Sequence, residues 1–328
     1  MVYDSVFSYI DKGLAILNAS TAASANPGAQ DLVFGGNTAN WKAFGNTLKL
    51  KAYLRLAKID PTKAGAGIAA LYATNPTFLT TDASVKYLTI GGNENPLYNE
   101  MISPTLGKTQ NLVASKTAVD AFVKNNDSRL FKFYDPLAGQ TTITAIPQGS
   151  YQSNAGKRVS IPSALVGANP ILTASATAPV KFFSVSESYF LQAEAVARGW
   201  ASGDINALYV QGINASFAAT GNPGDAAAYI ATAPDGQLAL TAAGSVEDKV
   251  KAIITQKYYA MNGFQGFEAW TEYRRTGYPN FLVVSAASII GANRMPQRFV
   301  YPSNEALTNS NFPGNVFVYT PVWWASKN

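Results

Sequence analysis

The sequence predicts a mainly α protein: tetratricopeptide-like helical hairpins with long irregular loops and a few short strands. Three observations predict it. Apolar residues recur at helical spacing near the N-terminus and again after Ser184. Capping residues bracket most of those stretches. Turn-forming residues crowd the region between them, from about 75 to 183.

The elements follow in order. Val6, Ile10, Leu14 and Leu17 share a face, which predicts a helix over Val2–Leu17. A loop rich in Ala, Asn, Gly and Ser runs to Asn40. A second helix is predicted over Trp41–Ile59. It carries two apolar stripes, one through Trp41, Phe44, Leu48, Ala52, Leu56 and Ile59, the other through Leu50, Tyr53, Leu54 and Ala57. Two stripes imply burial against two neighbours. Asp60-Pro61 ends this helix, and a shorter one follows over Thr62–Ala73. Residues 75–110 read as irregular. A helix is predicted over Ser115–Lys124, and short strands near Thr141–Ile146.

After Ser184 the helical signal returns. Ser184 and Glu187 form a capping-box pattern, and Gly199 stands where a C-terminal cap belongs. With the next helix, Asp204–Thr220, this makes a hairpin about the size of one tetratricopeptide repeat. A short helix covers Asp225–Ala231. Ser245 and Asp248 open another that runs to Met261, and Phe267–Thr276 ends at Gly277. The tail from Asn280 reads as an apolar loop. The whole chain, 1–328, is expected to form one domain: a helical scaffold over 1–74 and 184–279, a loop-rich, ligand-facing part over 75–183, and a tail over 280–328. A long structureless stretch inside a folded protein is usually functional.

Composition removes several chemistries. The chain has no His and no Cys. That excludes His-based triads, thiolate catalysis, disulfides and Cys-based zinc sites. No Gly-rich phosphate loop or calcium loop appears, and no metal or cofactor is expected. Only 14% of residues are charged, so much of the surface carries neutral polar groups. The net charge of +5 is a weak bias. Lys42, Lys49, Lys51, Arg55 and Lys58 cluster on one helix but point round most of it, which reads as a solvated face and not a nucleic-acid stripe.

Two carboxylate pairs could in principle hydrolyse a glycosidic bond: Glu187 with Glu194, and Glu268 with Glu272. Each pair shares one helix face, an unusual arrangement for that chemistry. Helix capping and pairing with Arg198, Arg274 or Arg275 account for them more simply. No catalytic residues are assigned. Loop aromatics beside Asn, Gln and Ser are more informative: Tyr98, Tyr134, Tyr151, Tyr319, Trp323 and Trp324. A sugar packs its C–H face on a ring and needs amide or hydroxyl partners. The same rings could instead pin loops to the core.

Several runs carry a family resemblance. They are Ser186–Ala195 (SESYFLQAEA), Tyr209–Phe217 (YVQGINASF), Ile254–Tyr258 (ITQKY), Glu268–Pro279 (EAWTEYRRTGYP) and Arg294–Pro302 (RMPQRFVYP). Trp41–Leu50 (WKAFGNTLKL) and Asn126–Leu130 (NDSRL) belong with them. In order and spacing these resemble the SusD/RagB family, in its SusD-like branch of outer-membrane nutrient-binding lipoproteins. The family begins with a leader and a lipidated Cys. Neither stands in this sequence, and its N-terminal helical portion is expected to be shorter than the family's.

The resemblance implies a surface protein, lipid-anchored at the outer membrane in its full-length form. It implies an oligosaccharide ligand, or a peptide in some branches, and a SusC-like TonB-dependent transporter that the protein covers as a lid. It implies that the signature runs are scaffold, with Arg274 or Arg275 holding Glu187 or Glu194. The ligand site then falls in the loops, and Tyr98, Tyr134 and Tyr151 are the expected rings, with Asn95 and Gln152 as polar partners. A helical-repeat protein binding a peptide or protein partner is the alternative, and a glycoside hydrolase a third reading.

Overall fold

The computed structural model describes residues 2–21, 23–102, 112–236 and 244–325. Its helices are α1 (Val2–Ala19), α2 (Thr38–Arg55), α3 (Pro61–Ala73), α4 (Pro96–Ile102), α5 (Lys116–Lys124), α6 (Leu130–Phe133), α7 (Val185–Ala197), α8 (Ile205–Ala219), α9 (Ala226–Thr232), α10 (Val246–Met261), α11 (Gly266–Thr276) and α12 (Glu305–Thr308). Its strands are β1 (Ala83–Val85), β2 (Tyr134–Asp135), β3 (Ile161–Pro162) and β4 (Val180–Phe183). They form two small antiparallel pairs, β1 with β4 and β2 with β3. The protein is mainly α, as its sequence predicts.

Caps fix the helix ends. Asn37 accepts from the Asn40 amide and opens α2 three residues before the predicted start. Helix α2 stops at Arg55, because residues 56–59 tighten into turns and Asp60 caps α3 with Pro61 in its first turn. Ser245 and Asp248 make the reciprocal capping box at α10. At α7 only half of that pattern forms. Ser184 accepts from the Glu187 amide, while the Glu187 carboxylate turns inward to cations.

Helices α4 and α6 stand where the sequence reads as loop. The predicted strand near Thr141–Ile146 does not form a ladder, apart from one bridge from Ile146 to Ser115. Of the stretch read as irregular, 103–110 lies outside the described residues. The tail is irregular as expected, except for the single turn of α12.

Helices α7 and α8 make the hairpin. Phe190, Ala193, Tyr209, Ile213 and Phe217 meet Ile253 of α10 in one core cluster. Gly212 permits the crossing: a Cβ there would lie 2.6 Å from the buried Phe190 ring. A second cluster joins Val119 and Phe122 of α5 to Phe133, Val166 and Tyr259. A third holds α2, α3 and α7 together through Leu50, Leu54, Ile68 and Leu191.

Between α2, α7, α10 and α11 lies a network of charge. Arg275 grips Glu194 with both terminal nitrogens at 2.7 Å and also bonds Glu272. Arg198 adds to Glu194 at 2.8 Å. Arg55 bonds Glu272 at 3.0 Å and Glu268 at 2.5 Å. Lys51 bridges Glu187 at 2.9 Å and Glu268 at 3.0 Å. Lys257 stands 3.3 Å from Glu187, and Gln265 donates to the same carboxylate. Arg275, not Arg274, therefore holds the acid. Lys51 and Arg55 are not part of a solvated face, because α2 turns them onto α7 and α11.

Burial alone would raise the pKa of these carboxyls. The neighbouring cations outweigh it, Arg275 foremost for Glu194 and Glu272, and Arg55 for Glu268. All three sit below the ordinary value of 4.5. A group depressed in the fold stabilises above its unfolded pKa and stops doing so as the pH falls through its folded one.

Arg275→Met should cost roughly 3–5 kcal/mol at neutral pH in urea unfolding, since two buried carboxylates lose their cation. The gap to wild type should narrow below about pH 4.5, as those acids gain protons. A gap independent of pH would mean that the network is not charged as described. Gly212→Ala gains up to ~1 kcal/mol in helix propensity but should still lose stability, as overpacking costs about 1–3 kcal/mol. Thermal unfolding checks the sign.

Candidate functional site

Two helices frame a cleft of about 610 Å³. Helix α5 turns Ala118, Val119 and Phe122 into the core, which leaves Lys116, Asp120 and Lys124 as a stripe along the cleft wall. Helix α10 faces it with Lys251, Thr255 and Tyr259, again spaced by four. Pro147, Asn280, Phe281 and Val283 close the third side.

The two helices meet at the base of the cleft. The Asn125 side chain donates to the Tyr259 hydroxyl at 3.0 Å, and the Asp235 amide donates to Asn125 at 2.8 Å. Tyr259 donates its hydroxyl to Asp235 at 2.9 Å, and Lys124 pairs with the same carboxylate at 3.0 Å. Burial pushes the Asp235 carboxyl up, but hydrogen bonds from Asn125, Lys124 and Tyr259 outweigh it, so its pKa is lowered. Burial, then the nearby Asp235 charge, raise the Tyr259 pKa, so the phenol stays a donor. Asp235 is thus a charged part of the framework.

Phe281 is held edge-on by Tyr258 at 5.4 Å and lies nearly parallel to Tyr259 at 6.1 Å. It is a fixed, half-buried ring in the lining of the cleft, to which Asn280 and Thr117 also contribute. Lys116 pairs with Asp120 across one helical turn. Lys251 makes no ion pair among the described residues. Aromatic ring, amide, hydroxyl and ammonium together suit a polar ligand with one flat apolar face.

The sequence-predicted residues lie elsewhere. Asn95 is 2% exposed and caps α4. Its oxygen accepts from the Leu97 and Tyr98 amides, and its nitrogen donates to Ala178. Its amide is engaged on both sides within the fold. Tyr134 is buried in β2, with its hydroxyl on Asn262 at 3.3 Å. Tyr98 is half-buried on α4. Tyr151 (61% exposed) and Gln152 adjoin on one exposed turn. Asn95 and Tyr98 thus share the start of α4, and Tyr151 and Gln152 share one turn, while Tyr134 packs in the core cluster with Val166 and Ala168.

The Tyr151 turn is tied to the cleft wall. Gln148 accepts from the Ala286 amide at 2.8 Å, next to Pro147, which lines the cleft. Gly149 has φ +80°, and a Cβ on it would lie 2.8 Å from the Ala287 nitrogen.

The other loop aromatics hold the tail. Arg274 lies 3.6 Å over the Trp270 ring and donates to the Gln297 carbonyl. Trp270 donates to Pro296, and Trp324 stacks near Arg55 and Arg274. Tyr319 pairs with Phe317 under Arg294. Trp323 meets Tyr3 edge-on and remains 53% exposed.

The cleft residues were not singled out by the sequence. A signal existed in two fourfold-spaced polar stripes, 116/120/124 and 251/255/259, each on a helix whose other face is apolar. That they face one another across more than a hundred residues was not legible. The carboxylate pairs weighed for hydrolysis are all within the ion network. Glu187 and Glu194 are fully buried, and each of the four is tied to cations. A general acid needs a raised pKa, and Glu194, Glu268 and Glu272 have the reverse.

A family model named SusD-like, described as starch-binding and associating with the outer membrane, matches residues 1–302. No match was found among curated protein sequences. Solved structures do match. A chitin-binding SusD homologue from Flavobacterium johnsoniae superposes with TM-score 0.80 at 24% identity, over 100% of this chain and 72% of that one. A SusD homologue from Bacteroides uniformis gives 0.80 at 26% identity, over 99% and 72%. One from Bacteroides thetaiotaomicron gives 0.80 at 21%, over 100% and 74%.

Gly149→Ala should displace the Tyr151 turn from the tail while leaving the helical core intact. The expected result is a faster-exchanging amide at Ala286 with little change in melting temperature, read by hydrogen exchange. An unchanged Ala286 amide would show that the contact does not hold the turn.

Proposed function

As the chain belongs to the SusD-like family, we propose that it binds an oligosaccharide in the cleft between α5 and α10 and does not transform it. The family is described as starch-binding and outer-membrane-associated, and a structural relative is described as chitin-binding. Both support a glycan ligand, and the family description supports an outer-membrane setting. The observation that carries the reading is the cleft itself, with a fixed Phe281 ring set among amide, hydroxyl and charged groups. A pyranose has one C–H face for the ring and equatorial hydroxyls for the rim.

Tyr151 and Gln152 extend this surface beyond Pro147, as the exposed members of the expected loop set. Asn95, Tyr98 and Tyr134 serve the site by holding their loops in place. The chain acts as one unit, with the helical hairpins as support. We assign it the role of a lipid-anchored lid subunit on a SusC-like TonB-dependent transporter. No described helix is long and apolar enough to cross a membrane. Family membership, and not the cleft, supports the anchor and the transporter.

Calorimetric titration with starch- and chitin-derived oligosaccharides tests the ligand. Phe281→Ala should weaken binding at least about tenfold, the scale of a lost anchor ring. Release of reducing sugar during incubation, or an unchanged affinity in the variant, would overturn the reading.

A further inference from the structure

The cleft collects cations in a chain that has few of them. Lys116 and Lys124 approach from α5 and Lys251 from α10, against two aspartates. The aspartates differ. Asp235 is committed to the framework by Asn125, Tyr259 and Lys124, and that pairing holds Lys124 at the rim. Among the described residues Asp120 has only Lys116, in an exposed pair one helical turn apart, a weak arrangement in solvent. Lys251 is exposed and makes no ion-pair contact among the described residues; Asp248, one turn earlier on α10, feels its charge but is bonded to Ser245 in the capping box. Residues 237–243, between Asp235 and Lys251 in sequence, contain no ionisable side chain.

We propose that the cleft selects acidic oligosaccharides, with a uronate carboxylate seated at Lys251 while the sugar ring lies on Phe281. This rests on the glycan reading above and names its ligand class. A neutral sugar gives an unpaired ammonium only hydroxyl acceptors, whereas a carboxylate gives it a charge-assisted bond. Asp120, on the opposite wall, disfavours the carboxylate there by like-charge repulsion and so sets the direction of the chain. Lys116 and Lys124 already face carboxylates of the protein, so Lys251 is the cation with a place open.

The test is titration with tetragalacturonate and with a neutral galactose- or glucose-based tetrasaccharide, at low salt and at 0.5 M salt. The expected result is at least tenfold tighter binding of the uronate at low salt, with most of that preference lost at high salt. Lys251→Ala should remove the preference and leave the fold intact. Lys251→Arg should restore it. Equal or tighter binding of the neutral sugar, or a preference unaffected by Lys251→Ala, overturns the inference and leaves the glycan reading standing. If neither sugar binds, and a wider panel of neutral and acidic glycans also fails, the glycan reading falls and takes this inference with it.

Discussion

The fold turns on the charged network shared by α2, α7, α10 and α11. Four glutamates and five cations are taken out of water together, at a desolvation cost of several kcal/mol per ion. That cost is offset only if every group finds its partner, so the network tolerates one relative placement of the four helices. Arg275 is central, as it reaches Glu194 on α7, Glu272 on its own helix and the Leu54 carbonyl on α2. Apolar packing holds these helices together, and ion pairing decides their register. A hydrophobic interface could slide by a fraction of a turn with little loss, but a bidentate guanidinium cannot.

That rigidity is passed outward. Helix α11 presents Trp270 and Arg274 away from the network, and these clasp residues 296–297 of the tail. The tail in turn supplies Phe281 and Val283 to the cleft and the Ala286 amide to the 147–152 turn. Helix α10 carries Lys257 into the network and Lys251, Thr255 and Tyr259 onto the cleft. The site is therefore built from loops and helix faces, but each is tied within a few residues to the charged core. Buried Arg129 does similar work behind Tyr259, bonded to Asp127 and Ser216 and covered by Phe217 and Tyr229.

Periodicity and caps made the long helices legible, because both are local properties. The Ser245–Asp248 box and the Ser184 cap appear where the sequence puts them. Helices α4 and α6 escaped because seven and four residues are too short to show a period. The charge network escaped for another reason. Lys51 and Arg55 look like a solvent face until α7 and α11 are placed against them, and partners 130 to 220 residues away leave no local mark. Asn95 shows the same limit from the other side. An Asn beside loop aromatics resembles a ligand group, yet Asn-Pro at 95–96 is also a helix-cap signature, and the cap consumes the amide. The cleft was half legible: each stripe can be found alone, but not their meeting.

The placement of charge also bears on how a ligand is chosen. A sequence pI near 9.1 and a net charge of +5 suggest a basic surface. A minority of the charged groups is internal, and because these nearly cancel, the net charge stays on the surface. Lys51, Arg55, Arg198, Lys257 and Arg275 are cancelled almost one for one by Glu187, Glu194, Glu268 and Glu272, and Arg129 by Asp127. What remains outside is sparse and mixed in sign, so it creates little long-range field to gather anions from solution. Discrimination must then occur at contact, within about a Debye length. A single ammonium with no ion-pair contact among the described residues, lining the same cleft as a fixed ring, counts for more on such a surface than it would on a densely charged one.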